Sequence, residues 1–280
     1  MPPAARPCGA SGKEGSPIRQ RILAVLLLCC LLFSLFGCRE KEAYLRYDLS
    51  GQVATLDPQF CTDGEAAIIL DQLFEGLLRQ EEDGPLPGAA AESWQVSADG
   101  RTYTFTLRQN TWSDGQPVTS GDFLFAFQRI FSPQSPSPFA EELAVIQNAS
   151  AVLAGTAPLE SLGVSAPDDR TLVITLESPS ASFAGLLAQS CTYPCREDLF
   201  TEARGRYGLE REYLVGNGAF ELIEWNTANP GRIGLKRRGS SEAGQVAYLY
   251  FYMGREDAAA LFDEKKSDLI RMDSAGAAAL

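Results

Sequence analysis

The chain has 280 residues, 45% hydrophobic and 21% charged, a globular composition with material for one large domain or two lobes. Its formal net charge is −12, and setting aside the first 37 residues (Arg6, Lys13, Arg19 and Arg21 against Glu14) leaves 20 basic and 35 acidic residues, a net of −15. So acidic a body is repelled by nucleic acid and anionic headgroups, and the absence of histidine excludes Ser-His-Asp and Cys-His catalysis and histidine-ligated metals. A Gly-x-Ser-x-Gly elbow, a Walker loop and a Rossmann glycine fingerprint are also missing. The adjacent carboxylates Glu81-Glu82, Glu141-Glu142 and Asp168-Asp169 sit in polar stretches that read as solvated turn or helix surface.

The chain opens on an address. Arg19 and Arg21 precede an apolar run from Ile22 to Gly37, and a basic flank, apolar core and small residue make a secretory signal peptide. The run is short for a membrane span, which needs ~20 apolar residues. Leu35-Phe36-Gly37-Cys38 resembles the lipobox of bacterial lipoproteins, which implies a lipid on Cys38; an uncleaved anchor helix is the alternative. Either way the body lies outside the cytoplasm, tethered to a membrane. Beyond Cys38 there remain Cys61, Cys191 and Cys195, an odd number, and Cys191 and Cys195 could close a small loop in an oxidising compartment.

Along the body, "YLRYDL" reads as a strand, followed by a turn at Leu56-Asp57-Pro58. "AAIILDQLFEGLL" places Ile69, Leu73 and Leu77 at helical spacing, predicting a helix through Leu77. "TYTFTLR" alternates, with Tyr103, Phe105 and Leu107 inward, and Asp99-Gly100 pairs it with a strand at "SWQV". Ser113-Asp114-Gly115 turns the chain, Thr119 caps a helix with Asp122, and Phe123, Phe127 and Ile130 form its buried stripe. Trp112 is expected in the same core. "TLVITLESP" is a further strand, "GAFELIEW" and "RIGLKR" a pair, "VAYLYFYM" a strongly apolar strand, and "REDAAALFDEKKSDL" a helix. The fold class is α/β with mixed α+β lobes.

In order and spacing, "LDP" (56–58), "LFEGLL" (73–78), the block 87–130, "SPFAEEL" (137–143), "LGVSAPDDRTLVITLESP" (162–179) and "VGNGAFELIEW" (215–225) resemble the family 5 extracytoplasmic solute-binding proteins, the oligopeptide and dipeptide receptors of ABC importers. The resemblance implies a periplasmic-binding-protein type II-like flytrap with an accessory lobe. Residues 1–38 would be the signal peptide with lipobox, 39–74 the first lobe's N-terminal part, 75–196 the accessory lobe, and 197–280 the first lobe continued and incomplete. It also implies a bound peptide pairing its backbone with the loop Phe60, Cys61, Thr62, Asp63 and Gly64, by strand addition. Asp63 either meets a cationic group or is a solvated loop residue. Phe139 either touches ligand from the accessory lobe or is core. Gln189 lines the cleft by alignment, and Asn217 serves a strand turn near the lobe junction. The family's asparagine-aromatic-Trp stretch after "RIGLKR" is replaced by "RGSSEAGQ", and the chain stops where family members run on. A truncated product is therefore expected, with unpaired edges around "VAYLYFYM".

The function implied is capture of a peptide and its delivery to the permease subunits of an ABC importer, from a lipid-anchored position outside the cytoplasm. The implied partners are thus a peptide, the permease and the membrane, with no cofactor. The alternative on the same fold is a surface peptide sensor or chaperone. A hydrolase would have to work through two carboxylates, and no pair here has a suitable setting.

Overall fold

The computed structural model describes residues 42–81, 86–228, 230–239, 245–255 and 258–270. The signal peptide, the lipobox with Cys38, and Glu82 of the first carboxylate pair lie outside the described residues. In chain order the elements are β1 (Ala43–Asp48), α1 (Gly64–Leu73), β2 (Ala91–Val96), β3 (Thr102–Leu107), α2 (Ser120–Ile130), α3 (Ala149–Leu153), β4 (Val164–Asp168), β5 (Thr171–Thr175), α4 (Phe183–Leu186), α5 (Glu197–Ala203), β6 (Phe220–Asn226), β7 (Gly231–Arg237), β8 (Val246–Met253), α6 (Ala258–Asp263) and β9 (Leu269–Ile270). They form a four-stranded sheet ordered β2-β3-β5-β4 and a five-stranded sheet ordered β6-β7-β8-β1-β9.

The four-stranded sheet is antiparallel throughout. β2 and β3 meet across a turn whose Gly100 has φ +70°, a left-handed conformation that glycine adopts without steric cost. Alternation buries Tyr103, Phe105 and Leu107 of β3, as the pattern predicts. α2 lays Phe123, Phe127 and Ile130 in the same core, and its start is fixed by the Asp122 carboxylate, which accepts from the Thr119 backbone N–H at 2.7 Å. β4 has no counterpart in the sequence reading. It is an edge strand that holds Pro167, which explains both its position and its weak alternation.

The five-stranded sheet is mixed. β6 and β7 pair antiparallel, β7 and β8 likewise, and β1 runs parallel to β8 with Tyr47 opposite Phe251. β8 therefore has partners on both edges, contrary to the expectation of unpaired groups around it. The expected helix through Leu269 is also corrected. α6 ends at Asp263, and Leu269 and Ile270 form β9 beside Tyr47 and Asp48. Two ion pairs hold that return: Arg46 grips Asp268 through Nε and Nη2 at 3.0 and 2.9 Å, and Arg255 grips Asp48 at 2.6 and 2.8 Å. Polar anchors of this kind have no signature in apolar periodicity.

Trp112 is buried, but in the second core, edge-on to Phe74 at 6.4 Å, rather than against β3. α2 is thus shared between the cores: Phe123 and Phe127 face the four-stranded sheet while Ala126 joins Trp112, Leu70 and Phe74. Among the described residues no helix is long and apolar enough to cross a membrane.

Candidate functional site

α1 organises the site. Its N-cap is Asp63, whose Oδ1 accepts from the Glu65 N–H at 2.8 Å. Glu65 is buried and its carboxylate takes the backbone N–H groups of Ser50 and Gly51 at 2.9 and 3.0 Å, pinning the segment after β1. The helix stops at Leu73, four residues short of Leu77. What stops it is tertiary: the Gly218 N–H bonds to the Leu73 carbonyl at 2.8 Å, and the Asn217 amide both accepts from and donates to the Glu75 backbone at 2.9 Å. Leu77 is buried all the same, in the four-stranded sheet's core, from a bend outside the helix whose carbonyl accepts from the Ala89 and Ala91 N–H groups.

Beyond that helix end lies a cleft of about 620 Å³ lined by residues from 71–80, Ala89, 108–110, Ala188, Tyr193 and 217–219. Its wall is Tyr193, whose ring stacks on Phe74 at 6.2 Å and whose hydroxyl donates to Asp71 Oδ1 at 2.6 Å. Burial, reinforced by that carboxylate, pushes the Tyr193 phenol above its ordinary pKa and keeps it a neutral donor. Gly76 is required beneath it, because a Cβ there would stand 2.8 Å from the ring. On the far side the Asn110 amide donates to the Asn217 carbonyl at 2.8 Å.

A buried knot ties the Leu56-Asp57-Pro58 turn to α2 and to the 191–195 segment. Arg129 donates to Asp57 at 3.1 and 2.5 Å, to the Gln59 amide oxygen, and to Cys195 Sγ at 3.3 Å. Gln59 in turn donates to the Cys191 and Tyr193 carbonyls at 3.2 and 2.8 Å, and so holds the cleft's wall from behind. The Arg129 guanidinium lies 4.1 Å from the Phe200 ring centre and 5.0 Å from that of Tyr207. Cys191 and Cys195 are free buried thiols, not a disulfide. Burial pushes them up to about 12 and about 11, so neither is a thiolate near neutral pH. A second pocket of about 530 Å³, walled by Phe125, Phe200 and Tyr207, opens over this knot.

The sequence candidates do not converge on one place. Among the described residues lining the 620 Å³ cleft, only Asn217 was a candidate. Phe60 lines the second pocket, beside Arg129 at 5.6 Å. Cys61 is buried, and Thr62, Asp63 and Gly64 are exposed at the start of α1. Phe139 is half-buried and packs against the four-stranded core, while Gln189 is exposed. The residues that sequence reasoning missed are Asp71, Tyr193 and Arg108 in the cleft and Arg129 in the knot. Arg129 carried one signal, a cation within the apolar stripe of α2. Among the described residues, no group of three or more Cys, Asp or Glu is placed to hold a metal ion.

A family model described as bacterial extracellular solute-binding proteins, family 5, middle region, matches residues 85–239. The chain is 42% identical over 187 residues to the probable deoxycholate-binding periplasmic protein YgiS of Escherichia coli K12, covering 66% of this chain and 35% of that protein. It is 38% identical over 190 residues to the periplasmic oligopeptide-binding protein OppA of the same strain, covering 66% and 34%. The substrate-binding domain of an oligopeptide ABC transporter from Bacillus anthracis superposes with a TM-score of 0.75 at 32% identity, over 81% of this chain and 45% of that one. The chain spans about a third of the length of the curated relatives it matches.

Proposed function

The chain belongs to the family 5 bacterial extracellular solute-binding proteins, and from that membership we propose that it captures peptides outside the cytoplasm for an ABC importer. The permease subunits of that importer are the proposed protein partner, and a lipid on Cys38 the proposed tether. In this reading residues 39–74 and 197–280 contribute to one lobe and 75–196 form the accessory lobe. The proposed ligand contacts are Asn217 in the cleft, Phe60 to Gly64 ahead of and at the start of α1, Phe139 and Gln189. The observation that carries the reading is the family match over 85–239, which spans the segments bearing Arg108, Tyr193 and Asn217 of the cleft.

The likeness to a protein named for deoxycholate favours a second reading, in which the cargo is an amphipathic carboxylate held in the aromatic-walled pocket of Phe125, Phe200 and Tyr207. Native mass spectrometry of the full chain, purified from bacterial membranes in mild detergent, separates the two. Co-purifying peptides are expected. An amphipathic acid retained without peptide would favour the second reading, and a chain that retains neither and binds neither on titration would sink both. Labelling with radioactive palmitate tests the tether: Cys38→Ala should abolish it, and equal labelling would overturn it.

A further inference from the structure

Two adjacent residues clamp the end of α1, and packing fixes the identity of both. Asn217 is 2% exposed, and its carboxamide meets the Glu75 backbone twice, accepting from the N–H and donating to the carbonyl, each at 2.9 Å. An amide presents an acceptor and a donor side by side, which is what this double bond uses. Gly218 is held as firmly: a Cβ there would stand 2.8 Å from the Gln72 carbonyl oxygen and from the Leu73 carbonyl carbon. Its N–H is occupied by the Leu73 carbonyl at 2.8 Å. The clamp thus specifies an Asn-Gly dipeptide, and no other asparagine of the chain precedes a glycine.

Asn-Gly is chemically reactive, because glycine has no side chain to keep its backbone nitrogen away from the neighbouring carboxamide. We propose that Asn217 is a self-modifying site, deamidated by water when the end of α1 opens and protected while it is closed. The Gly218 nitrogen gives up its proton and bonds to Asn217 Cγ, the Cγ–Nδ2 bond breaks, and ammonia leaves with that proton. Water then opens the succinimide at either carbonyl, giving aspartate or isoaspartate. One water is consumed and one ammonia released, whatever the cargo of the protein. In the closed clamp the nitrogen is tied to Leu73 and the carboxamide to Glu75, so neither can turn toward the other. Both residues line the 620 Å³ cleft, so water reaches them once those bonds part. The change is one-way. An ionised aspartate cannot donate to the Glu75 carbonyl, and reclosing would bury its charge there. Isoaspartate lengthens the main chain by one carbon and carries Gly218 away from Leu73. The site therefore records time spent open, and each event removes the clamp from the end of α1.

The test is peptide mapping by mass spectrometry of the full chain held at mildly alkaline pH, folded and in urea. Asn217 should deamidate in urea at the rate of an unstructured Asn-Gly peptide, and more slowly by about tenfold or more in the folded chain. Asn110→Ala removes a bond to the Asn217 carbonyl at 2.8 Å, and should speed the folded chain about twofold to tenfold while leaving the urea rate unchanged. Ile174→Val weakens the four-stranded core to a similar extent and should leave the folded rate where it was. Equal rates in folded and urea-unfolded chains would overturn the inference, as would a folded rate unmoved by Asn110→Ala. Equal acceleration by Ile174→Val would put the gate in global unfolding and overturn it too. After deamidation in urea and refolding, hydrogen exchange at Glu75 and Gly218 should be faster than in the fresh chain, and likewise in Asn217→Asp. Full protection in either would overturn the one-way step.

Discussion

The two sheets are put together in opposite ways. The four-stranded sheet draws its strands from one stretch, 91–175, and each of its pairings is antiparallel. The five-stranded sheet gathers β1 from residues 43–48 and its other strands from 220–270, so that Ala43 pairs with Val246 across the whole four-stranded unit. Closing long loops is an entropic cost met before any contact forms. The first sheet is therefore the natural nucleus, and the second depends on it being in place. α2 and the Arg129 knot are where the dependence is physical, since both touch the two cores.

Breaking the shared elements should therefore damage both sheets. Phe127→Ala opens a cavity in the four-stranded core and should cost ~3–5 kcal/mol in urea unfolding. A loss under about 1 kcal/mol, the range of surface positions, would mean that α2 does not seat there. Arg129→Ala leaves Asp57 buried without its cation and should also cost ~3–5 kcal/mol. The double variant Asp57→Leu with Arg129→Met should recover part of that loss, and an equal or larger loss would show that the pair is not what joins the cores.

A more local break is Asn217→Ala, which strips both bonds from the Glu75 backbone and should cost about 1–3 kcal/mol. Hydrogen exchange should then rise first at Glu75 and Gly218, and an unchanged pattern would mean that another group ends α1. The smallest effect belongs to β9. Hydrogen bonds from Arg46 hold the Asp268 carboxyl below its ordinary value, so the contribution is complete above the ordinary carboxylate pKa of ~3.9 and is lost as pH falls through the folded value. Protection from exchange at Asp268, measured against the rate of an unstructured chain at the same pH, should therefore fall in acid, since its N–H bonds to the Arg46 carbonyl at 3.0 Å, and Asp268→Asn should flatten that response. No difference between the two proteins would detach β9's docking from this ion pair.

What the sequence determined by itself was local. Alternation over Thr102–Leu107, the turn at Asp99-Gly100, the Thr119–Asp122 cap and the apolar stripe of α2 each hold within a dozen residues, and each appears where its pattern places it. The order of the blocks from 87 to 225 was enough to identify the family. Tertiary structure decided the rest, wherever a residue's partner lies far along the chain. α1 ends at Leu73 because Asn217 and Gly218 take over its last backbone groups, although Leu77 keeps helical spacing. β4 is a strand because β5 offers it an edge, and β9 because β1 does. Trp112 leaves β3 for Phe74 since α2 brings the second core within reach. The cleft itself joins Asp71, Arg108, Tyr193 and Asn217, four residues spread over almost 150 positions, and no periodicity links side chains that only the packing of two sheets brings to one surface.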